Sequence, residues 1–129
     1  MEIHHIAIWV KDLERIRNFY VKYFNADSSD YYYNPKKQFK SCFLSFSGGP
    51  EIELMNQPGK VKVAMDKGLE AFGLTHFAIS AGSKKAVDNL TEKLRTDGYK
   101  ITREPRTTGD GFYESVILDP EGNRVEITE

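Results

Sequence analysis

A chain of 129 residues that is 40% hydrophobic and 29% charged has the composition of a globular protein, with length for one compact domain or two small fused units. Its formal net charge of −1 excludes the basic footprint of a nucleic-acid binder, and no run of apolar residues is long enough for a membrane span. Met1-Glu2-Ile3 opens as a strand rather than a signal peptide, and the single cysteine, Cys42, forbids an intrachain disulfide, so a reducing cytoplasm is the expected setting.

Ile3 to Val10 is rich in β-branched residues, and strand alternation divides it into two faces. His5, Ala7 and Trp9 share one; His4, Ile6, Ile8 and Val10 share the other. Asp12 offers a helix N-cap, after which Leu13, Ile16, Phe19, Tyr20, Tyr23 and Phe24 recur at helical spacing. Asn25 to Ser29 ends that pattern. Strands are predicted at Tyr31–Tyr33, Phe39–Phe46 and Glu51–Met55, separated by Asn34-Pro35 and Gly48-Gly49-Pro50. Cys42, set among Ser41, Phe43 and Leu44, reads as a packed strand residue. The first half is therefore β-α-β-β-β.

Residues 58–73 read as a linker, with a short helical turn near Ala64 to Leu69. Then the order returns. Leu74 to Ala81 is a predicted strand; Ser83 caps a helix carrying Ala86, Leu90 and Leu94, and Gly98 stops it. Tyr99–Arg103 and Phe112–Leu118 are predicted strands around a polar loop at Thr107–Gly111. The turn Asp119-Pro120-Glu121-Gly122 leads into a last strand, Asn123–Thr128.

The two halves also share phrases. His5-Ile6-Ala7-Ile8 returns as His76-Phe77-Ala78-Ile79, and Ile52-Glu53-Leu54 returns as Val125-Glu126-Ile127. Each half opens on a strand with a histidine and closes on a strand with a glutamate. A lone strand histidine is ordinarily packed or solvated, and a strand glutamate between apolar neighbours ordinarily points to solvent. Finding both at matched places twice makes His5, Glu53, His76 and Glu126 a candidate divalent-metal set. His4 has no counterpart, since Thr75 stands at the matching position, and it reads as structural. A His₂Glu₂ set contains no thiolate and suits Ni²⁺, Co²⁺, Zn²⁺, Mn²⁺ or Fe²⁺. Two such α+β modules would each form a curved sheet, and the pair would make a partly closed, barrel-like cavity.

These residues resemble the vicinal oxygen chelate superfamily, especially its glyoxalase I-like (lactoylglutathione lyase-like) metalloproteins, over essentially the whole chain. The likeness rests on five stretches. They are His5 leading to Leu13, Asn18-Phe19-Tyr20, Ile52-Glu53-Leu54, His76 to Ile79, and Asp119-Pro120-Glu121-Gly122-Asn123-Arg124-Val125-Glu126. It implies one domain over residues 1–129 with the glyoxalase/bleomycin resistance/dihydroxybiphenyl dioxygenase fold, in two βαβββ modules at about 1–57 and 74–129. It implies a lyase-isomerase holding one divalent metal ion per site, abstracting a proton next to a carbonyl and stabilising the enediolate. Conversion of a methylglyoxal–thiol hemithioacetal to a lactoyl thioester is the implied reaction, with Glu126 as the base and Glu53 serving the opposite stereochemical course.

The second ligand separates the branches of that superfamily. Thiol transferases acting on fosfomycin and ring-cleaving dioxygenases resemble the chain but have no glutamate where Glu53 stands, and bleomycin-sequestering proteins lack the metal set. In glyoxalase I-like proteins an arginine commonly occupies the place of Trp9, and an asparagine that of Gln57. Trp9 is a candidate substrate-binding residue that either stacks on the substrate or fills the cleft, and Arg103 and Arg106, either side of Pro105, either hold an anionic group or are solvated loop charges. The resemblance also implies a small-molecule substrate and a homodimer, with modules that pair within or between chains.

Overall fold

The computed structural model of the chain describes residues 2–59 and 74–129, in two compact units, Met1–Asp66 and Lys67–Glu129. The helical turn expected at 64–69 lies outside the described residues.

In the first unit, β1 (His5–Trp9) leads into α1 (Leu13–Phe24), followed by β2 (Asp27–Ser28), β3 (Tyr32–Asn34), β4 (Phe39–Ser45) and β5 (Glu51–Asn56). The helix starts where Asp12 accepts a hydrogen bond from the backbone N–H of Arg15 at 3.0 Å, and it stops at Asn25, whose φ of 52° is left-handed. The sheet order is β1-β5-β4-β2, with β3 also on β4. The two-residue β2 was not expected; it lies within the stretch that sequence chemistry marks only as a helix end. α1 lies against β4 and β5. Ile16, Phe19, Tyr20, Tyr23 and Phe24 of α1 are buried with Cys42, Leu44, Ile52 and Leu54 of the sheet. Each such side chain, fully buried, stabilises the fold by roughly 1.5–3 kcal/mol. Burial also pushes the Cys42 thiol pKa up, which suits a packing role.

The second unit repeats the plan with β6 (Phe77–Ser80), α2 (Lys84–Thr96), β7 (Ile101–Thr107), β8 (Tyr113–Leu118) and β9 (Arg124–Thr128), in the order β6-β9-β8-β7. Ser83 caps α2 by accepting from the Ala86 N–H at 3.2 Å. The first strand is shorter than expected, so His76 stands immediately before it. The helix buries Val87, Thr91 and Leu94 rather than the expected Ala86, Leu90 and Leu94. That stripe includes a polar residue, which hydropathy reading passes over. Thr91 is admitted because its hydroxyl donates to the Val87 carbonyl and shares a 2.7 Å hydrogen bond with the equally buried Ser115.

β7 is the other correction. It runs on to Thr107, through Pro105 and into the stretch read as a loop. Proline is tolerated because β7 is the edge of its sheet. Two register shifts against β8, between Ile101 and Arg103 and between Arg103 and Arg106, insert extra residues.

Candidate functional site

The recurrence seen in the sequence is matched by recurrence of register. β1 pairs with β5 in parallel, placing Ala7 opposite Glu53; β6 pairs with β9 in parallel, placing Ala78 opposite Glu126. In each unit the neighbours of the glutamate, Ile52 and Leu54 or Val125 and Ile127, turn toward the helix and are buried, so the carboxylate projects from the face away from the helix. The histidine two residues before the alanine comes to the same face. His5 Nε2 lies 3.8 Å from Glu53 Oε2, and His76 Nε2 lies 3.4 Å from Glu126 Oε2. Both histidines are the more open partners, at 40% and 44% side-chain exposure against 18% and 16% for the carboxylates. Each unit thus offers one open His–Glu pair.

In the first unit the His5 ring is held from two sides. His4 Nδ1 lies 2.9 Å from His5 Nδ1, and the Phe43 ring meets His5 edge-on at 5.5 Å. One imidazole must donate and the other accept across the His4 contact, which leaves His5 Nε2 directed at Glu53. His4, expected to be structural, is thus in direct contact with a candidate ligand. Trp9, on the same face, is 44% exposed and meets Phe39 edge-on at 6.0 Å; Phe39 also contacts Tyr32. Gln57 is held away by its own hydrogen bond to the Lys37 carbonyl at 2.6 Å.

In the second unit the hairpin β8–β9 sets Val116 opposite Glu126 and Leu118 opposite Arg124. Glu114, two residues back on β8, therefore shares the Glu126 face, and it is 9% exposed. Sequence reading missed Glu114; the register of a hairpin closed by the Asp119–Gly122 turn is the signal that finds it. Burial, the hydrogen-bonded Glu114 carboxyl and its charge together raise the Glu126 pKa, against the lowering influence of His76 and Arg103. The β7 bulges bring both Arg103, opposite Val116, and Arg106, opposite Glu114, to this face. Regular alternation would have sent one of them to the other side.

A raised carboxylate pKa contributes stability that is complete below the ordinary value and is lost as pH rises through the raised one. In metal-free protein, Glu114→Gln is expected to bring Glu126 titration, followed by carboxyl NMR shifts, to lower pH and to move that loss of stability with it. An unchanged or higher titration would contradict the pairing of these carboxyls.

The turn that sets the hairpin register is built around Asp119. Its Oδ1 accepts from the backbone N–H groups of Glu121 and Asn123, both at 2.9 Å, and its Oδ2 accepts from the Asn123 side chain at 2.8 Å. Gly122 takes a φ of 87°, which an L side chain rarely adopts.

Metal–ligand distances of about 2.0–2.2 Å put neighbouring ligands of one ion about 3 Å apart. The two His–Glu separations are slightly wider than this, so a small side-chain rotation suits either pair to a shared ion. Among the described residues no three His, Cys, Asp or Glu side chains gather at such distances; the candidates come as pairs. No helix among the described residues is long and apolar enough to cross a membrane.

Comparison with known proteins gives one consistent result. A sequence profile of the glyoxalase/bleomycin resistance protein/dioxygenase superfamily matches residues 2–127. The chain is 32% identical to the Bacillus subtilis protein YqjT, described as uncharacterised, over 97% of this chain and 96% of that one. It is 27% identical to the lactoylglutathione lyase of Escherichia coli O157:H7, covering 100% of this chain and 93% of that protein. Among solved structures, glyoxalase I from Zea mays superposes with a TM-score of 0.79 at 28% identity, over 98% of this chain. This chain spans 44% of that maize chain.

Proposed function

Because this chain belongs to the glyoxalase/bleomycin resistance protein/dioxygenase superfamily, we propose that it is a metal-dependent lyase-isomerase acting on a carbon next to a carbonyl. The observation that carries the reading is the duplicated His–Glu pair in duplicated register. His5 and Glu53 would supply one half of a His₂Glu₂ set, and His76 and Glu126 the other, for Ni²⁺, Co²⁺, Zn²⁺, Mn²⁺ or Fe²⁺. A divalent ion supplies Lewis-acid stabilisation of the negative charge that develops on the substrate oxygens.

The remaining chemistry belongs to the side chains. Glu126 takes the proton from the carbon acid and returns it to the adjacent carbon, because its raised pKa makes it a better proton acceptor than an ordinary carboxylate. Glu53 is the corresponding group for the opposite stereochemical course. Trp9 supplies an apolar wall and Arg103 and Arg106 hold an anionic part of the substrate. The substrate favoured is a hemithioacetal of methylglyoxal with a thiol, rearranged to a lactoyl thioester. The same reading makes the working form a cytoplasmic homodimer, a state that sedimentation reads directly.

The test is to strip the protein with chelator, reload it with each of the five ions, and assay methylglyoxal with glutathione or bacillithiol. Thioester formation in at least one metal form, and none after stripping, is expected. Reaction with fosfomycin plus thiol, or cleavage of a catechol, without thioester formation would overturn the reading.

A further inference from the structure

The two His–Glu pairs share a register but not their surroundings. Among the described residues the His5 ring has one hydrogen-bond partner, His4, with Nδ1 atoms 2.9 Å apart and the two rings at 86° to one another. Its other nitrogen, Nε2, is 3.8 Å from Glu53 Oε2, beyond the reach of a hydrogen bond, so the carboxylate does not hold a proton there. Phe43, opposite Glu53 on β4, meets the ring edge-on from a further side. His4 is itself anchored by the sheet, because its carbonyl accepts from the Glu51 N–H at 3.0 Å. That bond does not depend on the side chain at position 4. In the second unit Thr75 stands at the matching position, and among the described residues the His76 ring has no polar partner besides Glu126, at 3.4 Å. Two neutral imidazoles 2.9 Å apart share one proton between them, and the ring that donates decides what His5 Nε2 can do. With His4 as donor, Nε2 carries the other proton of His5 and is no ligand. With His5 as donor, Nε2 keeps its lone pair beside the Glu53 carboxylate, as two ligands of one cation require.

We propose that His4 is a positioning residue: its Nδ1 accepts from the His5 Nδ1–H and holds the His5 ring with a bare Nε2 toward Glu53. The two halves of the site are thereby unequal. The first presents a preset ligand, and the second leaves His76 free to adjust beside Glu126, the group proposed to move protons. The consequence for metal binding rests on the function proposed above, but the tautomer of His5 is measurable without metal.

The test starts from metal-free protein with isotope-labelled histidine rings at about pH 8, where an ordinary histidine is neutral. Proton–nitrogen correlation NMR then reads which ring nitrogen holds the proton. In the parent, His5 is expected to carry it on Nδ1. In His4→Ala it should pass to Nε2, the position histidine favours in water, while His76 reads the same in both proteins. His4→Asn should keep the parent's pattern, because its Oδ1 can accept where the imidazole Nδ1 did. Titration with Zn²⁺ supplies the second readout. His4→Ala should weaken binding about tenfold or more, and His4→Asn should restore most of it. A parent His5 protonated on Nε2, an alanine variant that keeps the parent's tautomer or Zn²⁺ affinity, or an asparagine variant no better than alanine overturns the role of His4. The expected tautomers in a parent that takes up no metal support that role and remove the metal reading.

Discussion

Glu126→Gln is expected to lower turnover by about 10²- to 10⁴-fold, the usual contribution of a positioned general base, while leaving the fold intact. The amide has nearly the shape of the carboxyl but cannot take a proton from carbon. The site should tolerate the change structurally, since the side chain projects from the sheet and its flanking Val125 and Ile127 hold the core on the other face. Loss of one negative charge beside Glu114 should, if anything, favour the folded state. Turnover is measured at saturating metal, so that weaker ligation is not mistaken for loss of the base. A folded, metal-loaded Gln variant working near the parent's rate would give the base role to another group, and Glu53→Gln would be the next variant to assay.

Asp119→Ala should produce the largest loss of stability among single changes outside the apolar core, about 2–4 kcal/mol. Asp119 is 4% exposed, and alanine would leave the N–H groups of Glu121 and Asn123 and the Asn123 side chain without their acceptor. For a chain of this size that corresponds to a fall in Tm of roughly 10 °C, read by calorimetry. Asp119→Asn should cost less, because its carbonyl oxygen can still accept both backbone donors; only the second oxygen's contact with the Asn123 amide is replaced by a donor facing a donor. Alanine and asparagine variants equal in Tm to the parent would mean that the turn holds itself without these bonds. The consequence reaches the site as well. The turn fixes Val116 opposite Glu126, and a slip of one residue in β9 would point Glu126 into the apolar core.

Much of this was legible in the sequence because the deciding interactions are local. Asp12 and Ser83 were recognisable caps, and both accept from the backbone three residues on. The glutamates at 53 and 126 had to leave the core because their neighbours fill it, and both do. What escaped reading depends on partners distant along the chain. The β7 bulges are fixed by β8, so nothing local said that Arg103 and Arg106 would reach one face. The α2 stripe turned toward Thr91 because Ser115, on a strand 24 residues away, satisfies its hydroxyl. Glu114 drew no attention in the sequence, because only the hairpin register sets it beside Glu126. His4 was set aside for lacking a counterpart in the second half, yet adjacency to His5 gives it a contact that the repeat does not share.

The central claim is that the His5–Glu53 and His76–Glu126 pairs hold divalent metal. Its most direct measurement is metal content and uptake of the purified protein, by elemental analysis and titration, beside His5→Ala and His76→Ala. About one divalent ion per chain is expected in the parent, with loss of stoichiometric binding in each variant that remains folded. A parent protein that neither contains nor takes up divalent metal, or alanine variants that bind it as the parent does, would contradict it.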